Sequence, residues 1–234
     1  MLMIRPAAER GRTRLDWLDS WHSFSFAEYF DANHMGFGPL RVINDDRVAP
    51  DRGFGTHGHR DMEILTWILD GELQHRDSLG TGSVIRRGEV QIMSAGTGIE
   101  HSEFNPSPVE PVHLLQIWMI PERRGLPPRY DQQVVSLDPG AFYQIAGRRP
   151  GAGAVRVFQD VAVYVARLDA GQRVEHRLAP DRAAWLHVAR GAVTLDGTSL
   201  RAGDGVAVTR QDRVAIGGEA PAEVILFDLA AASV

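Results

Sequence analysis

Cysteine is absent from this chain, so disulfides and thiolate metal sites are excluded, and any bound metal must be held by nitrogen and oxygen. Long apolar runs are also missing, since no stretch approaches the roughly 18 uninterrupted apolar residues of a membrane span. The opening Met1-Leu2-Met3-Ile4-Arg5-Pro6 meets a charge and then a proline, without the apolar core of a secretory signal. A cytoplasmic protein is expected. Positive charge is scarce, with 25 Lys+Arg against 30 Asp+Glu and a formal charge of −5. The pairs Arg86-Arg87, Arg123-Arg124 and Arg148-Arg149 stand alone beside turn residues, so direct binding to nucleic acid, which needs a basic patch, is not expected.

What the chain does have is punctuation. Its 24 Gly and 13 Pro interrupt 234 residues at roughly the 8–12-residue spacing of an all-β sandwich or barrel. Between the breaks lie short runs rich in Val, Ile, Leu and Trp, which read as strands. They are Leu40 to Ile43, Glu63 to Leu69, Val90 to Met93, Val112 to Ile120, Val161 to Leu168, Ala184 to Ala189, Val193 to Leu195, Val206 to Val208 and Val224 to Leu229. One short helix is expected at Ser23 to Asp31. Five prolines between Pro121 and Gly153 mark an inter-domain connection, separating residues 1–120 from residues 154–234. The halves resemble each other weakly: Gly71-Glu-Leu-Gln-His and Arg87-Gly88-Glu89-Val90 have counterparts in Gly191-Ala-Val-Thr-Leu and Ala202-Gly203-Asp204-Gly205. A duplicated all-β barrel gives such a repeat.

His57-Gly58-His59 and His101-Ser102-Glu103 each place two metal-capable side chains at i, i+2. On a strand, alternate side chains share a face, so each pair can converge. Taken alone, an HxH pair is more often two polar residues on a strand face. Two such pairs in a chain without cysteine give three imidazoles and one carboxylate, a set suited to Fe(II), Mn(II), Ni(II), Co(II), Cu(II) or Zn(II).

Three segments carry a family resemblance. Trp21-His-Ser-Phe-Ser-Phe-Ala-Glu-Tyr-Phe-Asp31, His57-x-His59-Arg-Asp-Met-Glu63 and Gln91-Ile-Met-Ser-Ala-Gly-Thr-Gly-Ile-Glu-His101-Ser-Glu103 resemble the pirins of the cupin superfamily, particularly the bacterial quercetin 2,3-dioxygenase-like members. The resemblance implies a bicupin, with two tandem jelly-roll-like β-barrels. It implies His57, His59, His101 and Glu103 as ligands of one divalent metal, foremost Fe(II). The implied activity is cleavage of flavonols such as quercetin with O2 to a depside and CO, with Glu103 as base. It equally allows a non-catalytic metal-bound regulator acting through a protein partner, whereas a sugar isomerase fits the fold but not the motif around His101. A monomer is expected. Gly58 departs from the proline common between the two histidines and implies a looser backbone there.

Glu63, extending the strand of His57 and His59, is either an outer partner of an imidazole or a salt-bridged barrel residue. Offsets between the repeats put Arg177, Ala179, Ile216 and Gly218 opposite the four candidates, so no ligand is expected in the second half. His176 and His187 are expected to be ordinary polar or core residues. His22 belongs to an aromatic cover, His34 to a loop, and His75 to the surface of a hairpin. His113 opens a strand on which Gln116 and Trp118 are candidate pocket residues.

Overall fold

Apolar alternation with period two governs the architecture. The computed structural model describes residues 1–230, and among them there is no α-helix, only strands, turns and one 3-10 turn at Ala7–Glu9. Each half pairs a seven-stranded sheet with a four-stranded sheet. In the N-terminal half the larger sheet runs Arg129–Val134, Glu89–Ser94, Glu63–Asp70, Val112–Met119, Leu40–Val48, Leu18–His22 and Gly11–Arg14. The smaller one runs Gly53–His59, Ile99–Phe104, Glu72–Asp77 and Gly82–Arg86. The C-terminal half repeats the plan, and Leu2–Arg5 crosses over to pair with Gly205–Val208 at that sheet's edge.

The two large sheets share one core. Odd-numbered Leu65, Trp67 and Ile117 pack with Val163, Trp185 and Phe227 of the other half, while even-numbered Thr66, Ile68, Gln116 and Trp118 turn away from it, toward their own barrel. A polar tie crosses the same interface. The Trp67 indole donates to Glu223 Oε1 at 2.7 Å, and Arg167 Nε donates to Glu223 Oε2 at 2.9 Å. Replacing Glu223 by alanine strands a buried indole N–H and removes the partner of Arg167, so a loss of about 2–4 kcal/mol is expected in denaturant unfolding.

Gly71 and Gly191, aligned in the sequence repeat, both adopt φ of +73, and Gly88 and Gly203 adopt +86 and +92. Each turn needs the left-handed backbone that glycine takes without a Cβ penalty. The connection after Pro121 contributes strands to both halves: Arg129–Val134 joins the first large sheet and Phe142–Gly147 the second. The polar run Arg-Tyr-Asp-Gln-Gln has too little apolar alternation to announce a strand.

The helix expected at Ser23 to Asp31 does not form. Ser25 Oγ ties the two ends of the segment together through Asp31, Ala27 sits at φ +49, and Phe26 bridges to Tyr29. Phe24 enters the shared core, packing 4.8 Å from Trp185, whereas Phe26 lies against Trp118 on the barrel side. The left-handed Ala27 and the Ser25–Asp31 bonds close the segment into a turn, and neither fits a continuous right-handed helix.

Candidate metal centre and its cavity

Three short strands of the smaller N-terminal sheet build the site. In Gly53–His59, extended backbone points His57 and His59 to one face. Its neighbour Ile99–Phe104 pairs His101 directly with His57. The register then slips, so that Glu103 faces Phe54 and the His57 strand carries one extra residue. On its other side Glu103 is paired with His75. Gly53 lies against the Glu103 carbonyl so closely that a Cβ would collide with it.

The three imidazoles converge, with ring centroids 4.5 Å apart for His57 and His101, 4.8 Å for His57 and His59, and 4.9 Å for His59 and His101. One nitrogen from each lies within 4.8 Å of the others. His75, His101 and Glu103 form a second group on the same criterion, so the two groups overlap at His101. Gly58, between the two histidines, pairs with Glu100 and has room for a Cβ, so the ladder holds its extended backbone.

The electrostatics suit a cation. His57 Nδ1 donates to the Gly55 carbonyl at 2.8 Å, which leaves Nε2 with a free lone pair. Burial, with His57, His59 and His75 nearby, pushes His101 down to about 2, and burial with His57 lowers His59 to about 4. Both rings are therefore neutral and ligand-competent at pH 7. Glu103 is raised to about 7 by burial, against a hydrogen bond from Gln116 Nε2 at 2.9 Å. Thr66 Oγ1 donates to Gln116 Oε1 at 3.1 Å and so fixes which end of that amide meets Glu103. Both ring nitrogens of His101 and Oε1 of Glu103 are buried without any hydrogen-bond partner. Buried polar atoms are seldom left in this state, and a bound transition metal satisfies nitrogen and oxygen donors of this kind.

Beside this cluster opens a cavity of about 470 Å³, lined by His57, His59, His101 and Glu103 and by the aromatic side chains of Trp17, Phe26, Phe54 and Trp118. Gln116 and Trp118 both line it, as their place in the alternation allows.

Two sequence assignments change. His75 is fully buried rather than on a surface: its Nε2 meets Asp77 Oδ2 at 3.0 Å and its ring stacks on Tyr130. The His-x-Asp spacing was the available signal, because a carboxylate at i+2 can orient an imidazole. Glu63 shares no face with His57 and His59. The chain turns at Asp61, φ +50, and the strand that follows directs Glu63 away from the site, where it accepts from Ser94 Oγ of the neighbouring strand at 3.0 Å and from Phe158 N of the other half at 3.1 Å. His22 lines the cavity in addition to belonging to the aromatic cover. His34 pairs with Asp31 in a loop, and His113 meets Asp45 at 2.7 Å on the far face of its sheet.

In the second half, Ile216 belongs to an aliphatic barrel interior with Leu186, Val206 and Leu226, and Arg177 is exposed. His176 meets Asp228 at 2.8 Å, and His187 is fully buried among the shared-core strands.

Residues 4–119 match the pirin profile, and residues 144–229 match the quercetinase C-terminal cupin domain. Quercetin 2,3-dioxygenase of Escherichia coli K12 is 46% identical, over 98% of this chain and 99% of its own length.

The chain belongs to the pirin family.

The bacterial pirin fold extends over the described residues. The crystal structure of YhhW from Escherichia coli superimposes with a TM-score of 0.95 at 44% identity, covering all of both chains. A second structure of YhhW, in complex with nickel(II), gives 0.94 at 44% identity, covering 99% of this chain and 100% of that one. The pirin assignment accounts for the tandem cupin architecture, and the histidine cluster in its first barrel is a candidate metal site.

Proposed function

We propose that this pirin is a metal-dependent dioxygenase that cleaves flavonols such as quercetin with O2, giving a depside and CO. One divalent transition metal, Fe(II) or Ni(II), is held by His57, His59, His101 and Glu103. The observation that carries the proposal is the set of buried, unpartnered nitrogen and carboxylate donors on the wall of an aromatic-lined cavity. Similarity to a quercetin 2,3-dioxygenase and to a nickel-binding pirin supports it.

When bound, the metal supplies a Lewis-acidic centre at which a chelating hydroxy-ketone and O2 can be held together. The chain's residues do the rest. Trp118 packs edge-on to His59 at 4.8 Å and to Phe26 at 5.4 Å, so a planar ligand meets aromatic walls that exclude water. Glu103 takes the proton of the flavonol 3-hydroxyl, and Gln116, held by Thr66, keeps the receiving carboxylate oriented. Protein loaded with Fe(II) or Ni(II) and incubated in air should bleach quercetin and release one CO per molecule consumed. A loaded protein that leaves quercetin intact rules the proposal out.

His75 positions this site. Asp77 accepts its Nε2 proton, which turns the Nδ1 lone pair toward His101 and Glu103. His75→Ala is expected to weaken Ni(II) binding by about tenfold, the usual scale for an outer-shell partner, as read by calorimetric titration of metal-free protein.

A further inference from the structure

A row of polar side chains crosses the barrel wall. In register, Gln91 faces Thr66, Thr66 faces Gln116, Gln116 faces Asn44, and Asn44 faces His22, one residue from each of five neighbouring strands. All five are buried. The second barrel packs its interior mainly with aliphatic side chains, among them Leu186, Val206 and Leu226, so the fold itself does not require such a row. Gln116 serves Glu103. His22 is satisfied by Asn44 Oδ1 at 2.8 Å and Thr13 Oγ1 at 2.9 Å.

Asp46 is different. Two residues beyond Asn44, it shares the barrel-facing side of its strand and lines the same cavity as the three imidazoles. It is only 3% exposed; Ser20, its register partner on the next strand, hydrogen-bonds the carboxylate, but Oδ1 has no hydrogen-bond partner and no salt bridge reaches the group among the described residues. Burying a carboxylate with one oxygen unpartnered and no cation beside it is costly. A residue kept at such a cost on a cavity wall points to a partner that arrives from the cavity.

We propose that Asp46 reads a ring hydroxyl of the ligand, hydrogen-bonding it while the ligand's chelating end faces the histidines, so that polyhydroxylated flavonols are preferred over those carrying the 3-hydroxyl alone. This rests on the flavonol reading of the site. The remaining geometry agrees. Trp17, Phe26, Phe54 and Trp118 provide flat apolar contact, and the cavity volume falls in the range that takes drug-sized molecules. Burial, opposed by the Ser20 hydrogen bond and reinforced by Asp45 and Glu103, raises Asp46 to about 7, so near neutral pH it can accept from a phenol or donate to one. Burial and two like charges also disfavour an additional anion, which leaves a neutral hydroxyl as the matching group.

The test compares quercetin with 3-hydroxyflavone, which has only the chelating pair, by fluorescence-monitored binding to Ni(II)-loaded protein without O2. Asp46→Ala should weaken quercetin by about tenfold or more, the scale of one hydrogen bond to a charged group, and 3-hydroxyflavone by less than about twofold. Asp46→Asn, which keeps the shape and an acceptor, should recover part of the loss. Equal weakening of both ligands, or of neither, overturns the proposal.

Should the alanine variant fail to fold, the wild type and Asp46→Asn still decide it, because an unchanged ratio of the two affinities also overturns it. Thermal melts of the metal-free proteins give a second readout. A carboxylate retained for folding would make Asp46→Asn less stable, whereas a ligand-reading carboxylate makes it equally or more stable. Oxygen uptake with quercetin is measured separately. Selective binding without turnover would sink the dioxygenase proposal and leave Asp46 in place, whereas failure of both ligands to bind the wild type overturns both.

Discussion

Replacing His101 by alanine will leave the protein folded and without its metal. His101 is the one residue common to both clusters of potential ligands, and it is paired in register with His57. Neither of its ring nitrogens has a protein partner, so the substitution breaks no hydrogen bond. The loss falls on metal linkage. A metal at about a thousand times its dissociation constant stabilises the folded state by roughly 4 kcal/mol, a shift on the order of 10 °C in a domain of this size. The wild type should show that shift on adding Ni(II) and the variant should not, with elemental analysis reading about one metal per chain against none.

The pH dependence provides an internal check. The folded site holds His101 far below its ordinary 6.5 by burial and neighbouring imidazoles. As pH falls through 6.5, the unfolded ring gains a proton that the folded one refuses, so metal-free wild type loses stability toward acid. His101→Ala removes that contribution and should lose less over the same range. A variant that still binds Ni(II) with wild-type stoichiometry would refute the ligand role.

Glu103→Gln should retain the fold and lose turnover, by a factor of about 10² to 10⁴, the usual range for removing a general base. The amide keeps the size of the side chain and can still accept from Gln116 Nε2, so the Thr66–Gln116 arrangement survives. What disappear are proton acceptance and the negative charge that the carboxylate offers a metal. In the metal-free protein Glu103 is raised to about 7 by burial, so below that pH a metal must displace its proton. Apparent Ni(II) affinity of the wild type should therefore fall as pH drops below 7, and that of Glu103→Gln should fall less steeply. Full metal content with undiminished quercetin turnover would show that Glu103 is not the base.

Much of this was legible in the sequence because it is local. The i, i+2 spacing of His57 with His59 and of His101 with Glu103 becomes a shared face as soon as each segment is extended. The aligned turn glycines, Gly71 with Gly191 and Gly88 with Gly203, announced the repeat because only a left-handed turn requires them. Glu63 was misjudged because a face continues only while the strand does, and Asp61 interrupts it. Ser23 to Asp31 was misjudged because a left-handed Ala27 and the return of Asp31 onto Ser25 close it into a turn, which its apolar pattern does not announce.

The four residues proposed as metal ligands were nameable from sequence, as two i, i+2 pairs of metal-capable side chains joined to a family resemblance. Sequence could not tell that the three imidazoles form one group while Glu103 joins His101 and a buried His75 in a second, that Asp77 stands behind His75, or that Asp46 lines their cavity with one carboxylate oxygen unpartnered. Those facts depend on strand register. A single bulge between His101 and Glu103 decides which neighbours face the carboxylate, and the order of strands in a sheet decides which distant residues share a wall. Spacing along the chain fixes which side chains can point together; only the tertiary pairing of strands determines what they point at.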